Sequence, residues 1–173
     1  MSFGRRPLRS LLLLSKRARW GLLLAVTLLG GCGSDDGGAE GQGPTCGADT
    51  VDERCAVFDI VNDERRAAGL STYVWDQALA LAAQQHADDM ATQNYFDHTS
   101  LDGRSFSERA SEAGYDASPR GENIAVGQQN ATEVMQSWMN SSGHRNNIMS
   151  EGSTEIGVGL QGGYWVQVFG RRN

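Results

Sequence analysis

The chain has 173 residues and a formal charge of −6, room for one ordinary domain plus a targeting segment but not for two domains. Six of its cations and none of its acids lie before residue 20, so the chain beyond them carries −12, with nine arginines and no lysine. That balance excludes a basic footprint for nucleic acid and, with it, any lysine Schiff base.

Residues 1–31 read as an export signal. Arg5, Arg6, Arg9, Lys16, Arg17 and Arg19 make a basic start, and Trp20 to Leu29 is almost wholly apolar and uncharged. Ten helical residues reach only about 15 Å, half a bilayer core, which suits a signal and not a membrane span. Leu29-Gly30-Gly31-Cys32 then resembles the lipobox of bacterial lipoproteins, in which the thiol takes a diacylglyceryl group and the cysteine becomes the first residue. An ordinary cleavage site with an incidental cysteine is the competing reading. Two acyl chains and one on the amine hold a protein on a membrane stably, where a single chain does so marginally. The expected partner is therefore a membrane, through Cys32, and the expected location the cell envelope, in the periplasm or at the cell surface.

Residues 32–44 are small, acidic and glycine-rich, a flexible tether by composition. The domain is then 45–173, near the usual size for a single core. Cys46 and Cys55 lie nine residues apart in a chain read as exported. A disulfide is the default, worth about 2.5–3 kcal/mol by loop closure; a two-cysteine metal site is the weaker option, because no histidine is near. With all three cysteines assigned, none is left for catalysis.

Helix punctuation follows in order. Thr50 with Glu53 makes a capping box before the stripe Val57/Ile60/Val61/Ala68, and Gly69 closes it. Asp76 caps a second helix with Leu79, Ala82, Ala83, His86 and Met90 on one face. Ser105 with Glu108 opens a short third helix ended by Gly114. Asn130 with Glu133 opens a fourth, with Val134, Met135, Trp138 and Met139 apolar, and Gly143 to Met149 adds a further turn. Ile124 to Val126 is a strand. Ile156, Val158 and Leu160 alternate with glycines, and after the Gln161-Gly162-Gly163 turn Tyr164 to Phe169 completes a hairpin. Helices followed by strands predict an α/β domain, a three-layer α-β-α sandwich around a small, mostly antiparallel sheet.

Common catalytic signatures are missing: no Gly-x-Ser-x-Gly elbow, no His-Glu-x-x-His, no phosphate loop. Three histidines and one acid remain. His98 follows helix two, Glu122 stands where a loop enters a strand, and His144 follows helix four. Two imidazoles and a carboxylate suit Zn²⁺ or another divalent metal with an open position, but their separations exceed twenty residues. Three unrelated loop residues are the bland alternative. His86, on the helix-two core stripe, reads as a hydrogen-bonded structural histidine.

Seven stretches appear together in sequence: Val61-Asn62-Asp63-Glu64-Arg65-Arg66-Ala67-Ala68-Gly69-Leu70, Trp75-Asp76, Phe96-Asp97-His98-Thr99, Gly121-Glu122-Asn123-Ile124-Ala125, Trp138 to Ile148, Gly157-Val158-Gly159, and Tyr164 to Gly170. This set resembles the bacterial type of the CAP superfamily, the SCP-like domains of cysteine-rich secretory, antigen-five and plant pathogenesis-related proteins. The resemblance implies a three-layer sandwich with a central cleft, which in eukaryotic members carries two histidines and two glutamates. By motif, His98 and Glu122 fill two of these positions. Gln136 stands where the second glutamate is usual, and Tyr164, three residues before Gln167, stands where the second histidine is usual. His144, in the bacterial Gly-His-Arg motif, is the candidate to supply the missing imidazole.

The binding cleft expected from this is His98, Glu122, His144, Asn123, Tyr164 and Gln167, with His98 and His144 as candidate metal ligands. His98 and Glu122 are expected about 3 Å apart. If instead Glu122 only accepts backbone N–H groups, it anchors its loop and no shared site exists. The function implied is a binding module for a lipid, cell-wall material or a protein. Its rivals are a metal-dependent hydrolase or peptidase with Glu122 as general base and a purely structural envelope protein.

Overall fold

A computed structural model describes Cys46 and residues 52–172. The signal segment, Cys32, the tether and Thr50 lie outside the described residues. No helix among the described residues is long and apolar enough to cross a membrane.

Helix α1 (Glu53–Ala67) is capped by Asp52, whose carboxylate accepts the Arg54 N–H at 2.8 Å. The cap thus falls on the acid directly before the first helical residue and not on Thr50. Glu53, freed from the expected capping box, accepts the backbone N–H of Ala131 at 2.7 Å. It therefore satisfies an orphan donor in the first turn of a different helix, α4 (Ala131–Asn140). Cys55, buried in the first turn of α1, is bridged to Cys46 with Cα atoms 5.2 Å apart. The disulfide expected from the nine-residue spacing is present.

Strand β1 (Val74–Trp75) is too short to be visible in the sequence. It leads into α2 (Gln77–Gln93), capped by Asp76 as expected, and α3 (Phe106–Glu112), which opens on the Ser105/Glu108 capping box. Strand β2 (Ser118–Val126) is longer than the three residues expected. After α4 come α5 (Ser142–Ile148), β3 (Glu155–Gln161) and β4 (Tyr164–Arg171). The sheet order is β1-β3-β4-β2, antiparallel except where β1 runs parallel to β3.

The strand period of two divides the core. Ile156, Val158, Trp165, Phe169 and Ala125 face Val57 and Val61 of α1, Val134 and Trp138 of α4, and Ile148 of α5. Val166, Val168 and Ile124 face Leu79, Ala83 and Met90 of α2 and Ala110 of α3. Each fully buried aliphatic contributes about 1.5–3 kcal/mol. The α-β-α sandwich is thereby confirmed. The glycines alternating along β3 point at α2: a Cβ at Gly157 or Gly159 would overlap the helix backbone at Ala80 or Ala83. They are a seat for a helix, and the strand pattern needs them because the alternate face carries the aliphatic side chains.

Candidate functional site

The site is built on β2, one of the two edge strands of the sheet. Glu122 and Ile124 point to the α2/α3 layer, while Asn123 and Ala125 point to the α1/α4/α5 layer. Residues adjacent in the Gly-Glu-Asn motif therefore serve opposite faces.

On the Glu122 side, α2 ends at Asn94 in the left-handed conformation (φ 52°), which turns the chain into the loop carrying His98. His86, wholly buried on α2, donates from Nε2 to the Asp97 carbonyl at 2.9 Å and pins that loop one residue before His98. This is the structural role expected of it. Burial holds its pKa below the ordinary value, which favours the neutral ring. From α3, Arg109 grips the same loop. Its Nη1 donates to the Ser100 hydroxyl (3.1 Å) and the Arg104 carbonyl (2.9 Å), and its Nη2 to the His98 carbonyl (3.1 Å).

Arg109 Nη2 also donates to Glu122 Oε2 at 2.6 Å, and His98 Nδ1 donates to Glu122 Oε1 at 2.8 Å. Both carboxylate oxygens are thus committed. The Glu122 and Arg109 side chains are 1% and 3% exposed, whereas that of His98 is 55% exposed. The hydrogen bond to Glu122 raises the His98 pKa above its ordinary value against an opposing contribution from burial. The triplet is a buried ion pair with an imidazole as its solvent-facing end.

On the other face, the Asn123 amide donates to the His144 carbonyl (3.1 Å) and to Gln167 Oε1 (3.0 Å). Asn147 donates to the Glu122 carbonyl (3.2 Å) and to Asn123 Oδ1 (2.8 Å). These amides tie α5 to the sheet edge, and a Cβ at Gly121 would press on the Asn147 side chain. His144 is held down in pKa by burial and then by the charge of His98. Among the described residues the buried Nδ1 of His144 has no hydrogen-bond partner.

The expected site is therefore assembled in part. His98 and Glu122 meet as expected; His144 stands in the other layer, on α5. Asn123 and Gln167 are fully buried; strand alternation turns them away from the Glu122 face, where Asn123 holds α5 and Gln167 bonds Asn123 and Met135 of α4. Tyr164 pairs with Val126, whereas Glu122 pairs with Val168. Four residues of strand, about 13 Å, separate the two levels. Gln136 lines another groove with Ile60, Glu64, Met135 and Met139, of about 350 Å³. The residues do not fit the expected metal. Among the described residues no group of three His, Cys, Asp or Glu side chains could hold one, and the Glu122 oxygens already carry Arg109 and His98. Arg109 is the functional residue that sequence reasoning missed. Its one local signal is a position next to Ala110 on a helix too short to show a face.

A disulfide-stapled α-β-α sandwich with a His–Glu pair at one edge strand of its sheet defines an SCP-like domain. The chain belongs to the cysteine-rich secretory protein (CAP) family, whose model matches residues 58–169. It is 40% identical over 115 residues to the uncharacterized Bacillus subtilis protein YkwD (65% of this chain, 45% of that protein). It is 35% identical over 116 residues to the uncharacterized B. subtilis membrane protein YlbC (67% and 34%). The chain thus spans less than half the length of these curated relatives. Among solved structures, an extracellular SCP-domain protein of Bacillus anthracis superposes with a TM-score of 0.68 at 33% identity (69% of this chain, 40% of that one). An outer surface protein of Borrelia burgdorferi shares the fold (TM-score 0.63, 23% identity, 72% and 96%).

Proposed function

We propose that this chain is a lipid-anchored, extracytoplasmic CAP domain that binds a lipid, cell-envelope or protein ligand at the His98–Glu122 edge without turning it over. The observation that carries this reading is the double occupation of Glu122: one oxygen takes Arg109 and the other His98. A general base has to come within hydrogen-bond reach of the proton it removes, and the Glu122 side chain, 1% exposed behind its two donors, is shielded from an incoming substrate. The half-exposed His98 ring, charged over a widened pH range by its raised pKa, is suited to donate to a carbonyl, carboxylate or phosphate. The extracellular and outer-surface nature of the B. anthracis and B. burgdorferi proteins supports an exported location, and Cys32 supplies the anchor.

Purified cell-wall sacculi and mixed phospholipid vesicles, each sedimented with the chain carrying Cys32→Ser so that no acyl chain can insert, test the reading. That protein should pellet with one of them, and the same protein with His98→Ala should not. Release of soluble fragments that stops with Glu122→Gln would instead establish the hydrolase. For the anchor, Cys32→Ser should free the protein from membranes or block signal processing; a mature-sized variant still in the membrane fraction would refute it.

A further inference from the structure

Outside that edge, the molecule buries a second cation. Arg65, in the last turn of α1, is 2% exposed, with its guanidinium 3.7 Å from the Tyr73 ring centroid. Its Nε donates to the Ser71 carbonyl (2.7 Å) and its Nη1 to the carbonyls of Ile148 (2.7 Å) and Ser150 (2.9 Å). All three partners are neutral dipoles. They satisfy hydrogens but leave the unit charge uncancelled, and an unpaired buried ion is costly. Burial accordingly lowers the Arg65 pKa.

That charge faces a cavity of about 280 Å³ lined by Arg65, Arg171, Ser71, Ser153, Thr154 and Glu151. Ser153 is almost wholly buried. Residues bearing three hydroxyls and two guanidinium groups line it, with Arg171 Nη1 donating to the Glu151 carbonyl at 3.2 Å and Ser153 bonded to Tyr73. The planar fork of a guanidinium matches an oxyanion in shape and charge. The volume falls just below the roughly 300–1,000 Å³ of sites for drug-sized ligands, so the occupant is small. Glu151 is the one acidic side chain among the described lining residues; it is exposed, and its field acts on Arg65. Because the chain is acidic overall, an anion gains nothing from the distant field and has to be held by these local groups.

We infer that the cavity between Arg65 and Arg171 is a binding site for a small oxyanion, a phosphate or carboxylate group. The site is separate from the His98 edge and stands whether or not that edge binds a ligand. Sodium phosphate, sodium acetate and glycerol 3-phosphate are titrated into the full chain at constant ionic strength, with chloride as reference, followed by calorimetry and amide NMR shifts. The expected result is a saturable response to at least one oxyanion, centred on Ser71, Ser153 and Thr154. Glu151→Gln should tighten binding several-fold, and Arg171→Gln should weaken it about tenfold. A glycerol 3-phosphate response equal to that of phosphate assigns a phosphomonoester; a response to acetate alone assigns a carboxylate. If neither the wild type nor Glu151→Gln responds to any oxyanion beyond chloride, or if Arg171→Gln binds as well as wild type, the inference is overturned.

Discussion

Arg109 and Arg65 are buried to nearly the same depth and are answered in opposite ways. Arg109 meets the Glu122 carboxylate at 2.6 Å and spends its remaining hydrogen bonds on one loop. Arg65 meets three carbonyls and an aromatic face. A cation balanced by an anion makes a closed unit that fixes geometry, here the position of His98. A cation balanced by dipoles retains a surplus charge, which is available to a ligand. Depth of burial is therefore a poor guide to what a charged side chain does, and the identity of its partner is a good one.

The comparison breaks most readily at Arg109. Replacing it with Met strands the Glu122 carboxylate in the core, so urea unfolding should show a loss of about 3–5 kcal/mol. Adding Glu122→Leu should recover much of this, since the double change removes both charges. A single-variant loss below about 1 kcal/mol would mean that Glu122 is not held by Arg109. Arg65→Met strands no carboxylate, only carbonyls, two of which lie at the end of α5. We expect about 2–3 kcal/mol from the lost hydrogen bonds; a loss as large as that of Arg109→Met would show that charge balance is not what separates the two sites.

The smallest effect concerns His98. Its half-exposed ion pair should contribute under about 1 kcal/mol, measured as the stability difference between wild type and His98→Ala. The sign with pH follows from the shift. His98 has a folded pKa above the ordinary 6.5, so its contribution is complete below that value and fades as pH rises through the raised one. His144 and His86 are shifted below 6.5; their contribution is present above it and is lost as pH falls through the depressed values. Imidazole NMR titration should accordingly place His98 highest of the three.

Much of the fold is legible because its signals are local. The Asp76 and Ser105 caps, the α2 stripe and the Gly162-Gly163 hairpin turn each depend on residues a few positions apart. The His98–Glu122 pair, 24 residues apart, is an expectation only through family motifs; no spacing rule reaches that far. What stays hidden has a common cause. Glu53 caps a helix 78 residues away, Arg109 on seven helical residues displays no periodic face, and β1 is two residues long. Motif proximity puts Asn123 and Gln167 in the cleft, although strand alternation sends neighbours to opposite layers.

The glycine seat on β3 gives the molecule a mechanical asymmetry. With no side chain between them, α2 and the sheet rest backbone against backbone, and neither can slide without collision. Through His86, that slab also fixes the base of the His98 loop. Across the edge, α5 is held by amide hydrogen bonds from Asn123 and Asn147, which can lengthen or exchange partners. The helix is tied down further by Arg65 and Tyr73, which donate to the Ile148 and Asn147 carbonyls, and by the buried Ile148 side chain. The His98 imidazole is thus carried by the layer whose contact with the sheet is backbone on backbone, and His144 by the layer held through side chains.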